Sequence, residues 1–310
     1  MQRARDLSSL ALAVALCVAG VGAADRVEAQ AAAAGQFAET AATAASADDT
    51  VWQLQAGTTL NYGNARSFQL ATGSHFLVLR DMHQFTFDLS FNFGVAQTRS
   101  AEGEFSEAWD TNSQNLQGKL RYDFFVDPDD GLFAVVLGRN DPFAGLDFRF
   151  QGQLGYLRNF VREGEGNAHR VWGEIGLDVT YDDRFPNPLC PPGSTFDADM
   201  ETCLDMSLRP IAALSNDETQ LSGRLYLGYD NHLNANWSLL AGVELLYDFI
   251  ALAERDGTNV RLTVPVELRL MIETNLQASL RFQLLYDGEP VPGRDPVDTS
   301  TVLTVVYTLL

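Results

Sequence analysis

Between His83 and Gln97 hydrophobic and polar residues alternate one for one. Phe85, Phe87, Leu89, Phe91, Phe93 and Val95 fall on one face, and Gln84, Thr86, Asp88, Ser90 and Asn92 on the other. A period of two over this length predicts a β-strand with one apolar and one polar side. The pattern returns in 52–62, where Trp52, Leu54, Leu60 and Tyr62 alternate with Gln53, Gln55, Thr59 and Asn61. It returns again in 275–286, where Leu276, Ala278, Leu280, Phe282, Leu284 and Tyr286 alternate with Gln277, Ser279, Arg281 and Gln283. The same reading places strands near 67–79, 114–126, 132–139, 147–157, 169–181, 220–229, 236–247, 259–270 and 300–309. About twelve strands result, most of them close to the roughly 9–11 residues that a tilted membrane-crossing strand requires.

Alternation alone does not say which face is buried, because a soluble sandwich or lipocalin-like barrel alternates with its apolar face inside. Three features predict the apolar face outside, against lipid. Aromatics sit at strand ends on that face: Tyr62, Phe68, Phe148, Tyr181, Tyr247 and Tyr286 at one rim, Trp52, Phe124, Tyr156, Tyr229, Trp237 and Tyr307 at the other. Two such girdles flanking an aliphatic band match two membrane interfaces. The polar face carries full charges in mid-strand, namely Asp88, Arg121, Arg149, Glu174, Arg224, Glu244, Glu267, Arg269 and Arg281. Connections also alternate: 80–83, 127–131, 158–168, 230–235 and 271–274 are mostly tight, whereas 97–113, 182–219, 248–258 and 287–299 are long. Short periplasmic turns and long extracellular loops are the outer-membrane pattern, with 63–66 expected as the one short outer loop. The predicted fold class is therefore all-β, an antiparallel up-and-down transmembrane β-barrel. Trp172, facing inward in this register, and Pro265, interrupting a strand, fit it poorly, and a β-bulge is expected near each.

The rest of the chain sets the compartment. Residues 1–23 place Arg3 and Arg5 before an apolar run from Leu10 to Val21 and then small residues, the layout of a secretory signal peptide with cleavage after Ala23 or Ala29. Residues 24–50 are rich in Ala, Thr and Ser and lack periodicity, so they read as a disordered periplasmic tail, and 51–310 as the barrel. The 310 residues hold 21 Lys+Arg against 41 Asp+Glu, a net charge of −20 that argues against nucleic-acid partners. The four His and three Cys show no zinc-ligand spacing, and neither a metal nor a cofactor is expected. The expected partners are the outer-membrane lipid bilayer, lipopolysaccharide and, during insertion, the barrel-assembly machinery.

Several segments carry a family resemblance: the Tyr62-Gly63-Asn64 hairpin, GRNDPFAGLDFR from Gly138 to Arg149 followed by Leu154-Gly155-Tyr156, and the tail with Tyr286-Asp287, Pro290-Val291-Pro292-Gly293-Arg294 and Val306-Tyr307. In order and spacing the chain resembles the salt-induced outer-membrane protein family of Gram-negative barrels. Leu310 stands where such barrels often end in Phe, and the 182–219 loop is unusually long. The resemblance implies an outer-membrane location and a salt or osmotic response, and it supplies no catalytic residues.

Candidate chemistry is sparse. Cys190 and Cys203, alone after processing, lie in the longest loop, and export predicts a disulfide between them. The same loop holds Asp182, Asp183, Asp197, Asp199, Glu201, Asp205, Asp217 and Glu218 against Arg184 and Arg209. Hard cations favour such oxygens, but a solvated acidic loop is the simpler reading. DPDDG at 127–131 resembles a calcium loop without its twelfth-position Glu and reads as a periplasmic turn. Some twelve-stranded barrels hydrolyse lipids, yet none of His75, His83, His169 and His232 has the Ser-Asn-Gly context of those enzymes, so no enzyme is expected. The lumen candidates are Asp88, Arg121, Arg149, Glu174, Arg224, Glu244, Arg261, Glu267, Arg269 and Arg281. Mixed charge in a twelve-stranded interior predicts Arg–carboxylate pairing and a narrow or closed pore of weak selectivity. Three functions remain: a passive or channel-like envelope barrel first, a membrane-embedded hydrolase second, a purely structural or surface-interaction barrel third.

Overall fold

A computed structural model of the chain describes residues 49–309 apart from 62–65, 98–107, 165–167, 185–189, 191–194, 198–201, 205, 208, 212–214, 251–258 and 289–295. The export segment and nearly all of the Ala-rich tail thus lie outside the described residues, as does Tyr62. Within them the wall is β1 (Asp49–Asn61), β2 (Arg66–Arg80), β3 (His83–Gln97), β4 (Asp110–Phe125), β5 (Asp130–Asp141), β6 (Leu146–Glu163) and β7 (His169–Arg184). A three-stranded sheet in the long loop follows: β8 (Thr195–Asp197), β9 (Thr202–Leu204) and β10 (Pro210–Ile211). The wall resumes with β11 (Asp217–His232), β12 (Trp237–Asp248), β13 (Val260–Glu273), β14 (Leu276–Asp287) and β15 (Val297–Thr308).

Each wall strand pairs antiparallel with its neighbours, and β15 returns to β1 through Gln53↔Thr308 to Gly57↔Thr304, closing the barrel. Closure removes the sheet edges of the wall, so its ladder N–H and C=O groups pair with neighbouring strands rather than with water. Most strands are longer than the alternation alone suggested; β6 runs 18 residues to Glu163, which shortens the 158–168 connection to 164–168.

Side-chain oxygens and special backbone shape the turns at one end. Asp127 accepts hydrogen bonds from the backbone N–H of Asp129 (2.8 Å) and Asp130 (2.9 Å), so DPDDG is a self-capped turn. Asn234 does the same for Asn236 and Trp237. At the opposite end lies a correction: 63–66 is not the one short outer loop. The β5–β6 link is a single 3-10 turn, Pro142–Ala144, released by Gly145 at φ 73°, a conformation glycine adopts without strain.

Both irregular positions have local causes. Opposite Trp172 the register of β6 shifts between Asn159 and Val161, but the bulge does not turn the indole outward. Trp172 stays fully buried inside the barrel. At Pro265 the β12–β13 ladder jumps from Ala241↔Val266 to Glu244↔Thr263, whereas the β13–β14 ladder continues through Pro265↔Gln283. The interruption lies on the side where proline has no N–H to donate.

The exterior is apolar. Leu154 is 67% exposed and Leu303 61%, within a band that also exposes Leu120, Val136, Ile175, Leu225 and Val243. Aromatics bound it at both ends, and their polar tips find partners. At the short-turn end Trp52 Nε1 donates to Ser74 (3.0 Å) and the Tyr307 hydroxyl accepts from Asn275 (2.9 Å). At the loop end the Tyr181 hydroxyl donates to Asp217 (3.1 Å). A continuous apolar belt of this kind exceeds anything a water-soluble monomer leaves bare.

Candidate functional site: the lumen

Inward positions carry the polar set, and the structure sorts them into layers. Nearest the short turns is an apolar floor of Leu79, Phe125, Phe133, Val135, Leu157, Trp172, Tyr226 and Leu240. Its aromatics lie flat on glycines of the neighbouring strand. A Cβ at Gly228 would stand 2.2 Å from the Trp172 ring, one at Gly155 2.6 Å from Phe133, and one at Gly242 2.5 Å from the Tyr226 hydroxyl oxygen. At Gly228, paired with Trp172 in register, only a residue without Cβ leaves room for the indole. The inward face is therefore not polar throughout. Inward Phe133 and Val135 on β5 show it, and the cue was legible as apolar residues on both faces of 132–136.

On this floor rests a belt of alternating charge. Arg121 on β4 donates to Asp123 (2.8 Å) and, across β5 and β6, to Glu174 on β7 (2.8 Å). Arg224 on β11 donates to the same Glu174 (2.5 Å) and to Glu244 on β12 (2.6 Å). The Glu174 and Arg224 side chains are 0% exposed and Arg121 3%. The guanidinium carbons of Arg121 and Arg224 stand 4.7 and 5.3 Å from the Phe133 ring centroid, so the cations are also held by an aromatic face.

A second layer lies toward the long loops. Arg149 binds Asp182 through two hydrogen bonds of 2.6 Å, Arg139 pairs with Asp141 (2.5 Å), and Arg184 pairs with Glu218. Arg261 on β13 reaches Asp178 (3.4 Å) and Thr180 (3.3 Å) on β7, three strands away. Asp182, Arg184 and Glu218 thus leave the acidic-loop group of the sequence reading and become wall residues. Asp199, Glu201 and Asp205 lie outside the described residues. Among the described residues no cluster of three or more His, Cys, Asp or Glu could hold a metal ion.

The β13–β1 side is different. Glu267 pairs with Arg269 two residues on (2.7 Å), and Asp88 on β3 is bonded to His75 (2.6 Å). Arg281, directly opposite Glu267 in register, has no partner on Nε or Nη1 among the described residues. It borders a small cavity, open to solvent in part, between β13, β14, β15 and β1. Outside the lumen, Cys190 and Cys203 form a disulfide (Cα–Cα 5.6 Å), and Cys203, on the central strand β9 of the small sheet, is fully buried. Sequence reasoning missed Asp123, Asp178, Asp182 and Glu218 as lumen groups; parity put Asp123 and Asp178 on the face of Arg121 and Glu174, whereas Asp182 and Glu218 had been read as loop.

A closed twelve-stranded barrel, apolar outside and ion-paired inside, defines the class of protein. The chain belongs to the family described as protein of unknown function DUF481, which matches residues 54–309. No curated protein matches the sequence. Among solved structures it is similar to an outer-membrane channel from Pseudomonas putida F1, with 14% identity, 88% of this chain and 99% of that chain covered, and a TM-score of 0.44. It is also similar to the translocator domain of the autotransporter NalP from Neisseria meningitidis, with 14% identity, coverage of 83% and 86%, and a TM-score of 0.42. For the NanC porin the values are 10% identity, 84% and 100% coverage, and a TM-score of 0.41.

Proposed function

We propose that this protein is an integral barrel of the Gram-negative outer membrane whose lumen is a narrow, eccentric path for small solutes. The observation that carries the reading is the inversion of the barrel. Its bare apolar belt demands lipid, while the interior is occupied from β4 to β12 by the floor and the paired belt above it. An open volume lies against β13, β14, β15 and β1. Export by the 1–23 segment, insertion by the barrel-assembly machinery and contact with lipopolysaccharide belong to this proposal. So do the absence of an enzymatic role and the salt or osmotic link that the family resemblance implied.

Two measurements test it. The purified protein should fractionate with outer membrane and migrate heat-modifiably on gels; recovery as a soluble periplasmic protein sinks the membrane reading. In planar bilayers it should give a small conductance, because paired side chains fill much of the bore. A large, stable conductance like that of general porins would contradict the filled lumen, and lipid hydrolysis by the pure protein would replace the channel reading by the enzymatic one.

A further inference from the structure

We propose that the cavity between β13, β14, β15 and β1 is a binding subsite for one small oxyanion, of the carboxylate or phosphate class, held by Arg281 and Gln55. Three donor atoms lining it, Arg281 Nε, Arg281 Nη1 and Gln55 Nε2, are buried and have no hydrogen-bond partner among the described residues. Leaving them so is costly, since a buried donor without an acceptor forfeits its hydration and an unpaired charge forfeits more. In the same lumen Arg121, Arg149 and Arg224 each carry a carboxylate within 2.8 Å.

The nearby carboxylates are already engaged. Arg281 senses Glu267 and Asp88, but Glu267 bonds Arg269 at 2.7 Å and Asp88 bonds His75 at 2.6 Å. Of the remaining lining, the Thr304 hydroxyl already donates to Ser279 (3.2 Å) and Glu267 adds a carboxylate, which leaves the amide of Gln277 to meet a further oxygen of a polar solute. Guanidinium recognises planar or tetrahedral oxyanions through several donors at once, which a halide cannot exploit. A concave site with a few convergent polar groups is what a small-solute subsite requires. The solute path proposed above supplies access, and in that respect the inference rests on it; the site itself rests on the unmatched donors.

The test uses the full barrel in detergent micelles, titrated calorimetrically with sodium phosphate and, separately, sodium acetate at fixed ionic strength. At least one should bind saturably with one-to-one stoichiometry, and which one binds distinguishes the two oxyanion classes. Arg281→Gln should weaken binding about tenfold or more, as loss of charge-assisted hydrogen bonds implies. Gln55→Leu should weaken it by about threefold to tenfold and carries the test if the Arg281 variant does not assemble. Arg158→Gln, at an exposed position by the short turns, should leave binding unchanged. No saturable binding of either anion, or affinities unaltered by Arg281→Gln and Gln55→Leu, overturns the subsite. Conductance without anion binding would sink the subsite and leave the channel; binding without conductance would do the reverse.

Discussion

Replacing Glu174 by Gln asks whether the middle of this lumen is dry. The carboxylate accepts from Arg121 at 2.8 and 3.3 Å and from Arg224 at 2.5 Å, and all three side chains are at most 3% exposed. Gln keeps the volume and one acceptor but removes the charge and turns an NH₂ toward a guanidinium. Removing one partner of a buried pair costs about 3–5 kcal/mol, whereas an exposed pair contributes about 0–1. Arg121 keeps Asp123 and Arg224 keeps Glu244, so the lower end, about 3 kcal/mol, is expected. Urea unfolding of the micelle-bound barrel reads this out. With m of about 3 kcal/mol/M the midpoint falls by about 1 M at constant m. Glu163→Gln, which touches only the long His169 contact of 3.9 Å at an exposed position, is the control and should leave the midpoint in place. A Glu174→Gln shift under about 0.3 M would refute the reasoning, because it would mean that water already screens the belt.

Trp172→Ala should cost about 3–5 kcal/mol and raise single-channel conductance, since it empties the fully buried floor position over Gly228; an unchanged conductance would show that the floor does not limit the path. Non-reducing peptide mapping should recover Cys190 linked to Cys203, and Cys190→Ser with Cys203→Ser should leave the barrel's unfolding midpoint and insertion intact, the loss of about 3 kcal/mol falling on the loop alone. Impaired insertion would mean the loop is part of the barrel's assembly. At the turn, the backbone N–H groups of Asp129 and Asp130 hold the Asp127 carboxyl below its usual value of 3.8. A depressed acid contributes stability above its unfolded pKa and loses it as pH falls through the folded pKa. The stability difference between wild type and Asp127→Asn should therefore be constant near neutrality and vanish below pH 3.8; a difference that persists in acid would assign the effect to something other than the carboxylate.

Strands, their faces and the exterior were legible in the sequence because a period of two is a local property: Phe85 to Val95 must share a face whatever else the chain does. The same parity put Arg121, Glu174, Arg224, Glu267 and Arg281 inside. The Cys190–Cys203 link was legible from compartment and count. What only the tertiary structure decided is which inward groups meet. Alternation assigns a side but neither depth along the axis nor position around it, and those follow from closure, stagger and bulges. Thus Glu174 receives Arg121 from 53 residues away, and Arg261 finds Asp178 83 residues away. Glu267 bonds Arg269 on its own strand, and Nε and Nη1 of Arg281, its register partner, have no hydrogen-bond partner among the described residues. Gly228, Gly155 and Gly242 seat Trp172, Phe133 and Tyr226, because a ring can lie on a neighbouring strand only where no Cβ stands beneath it.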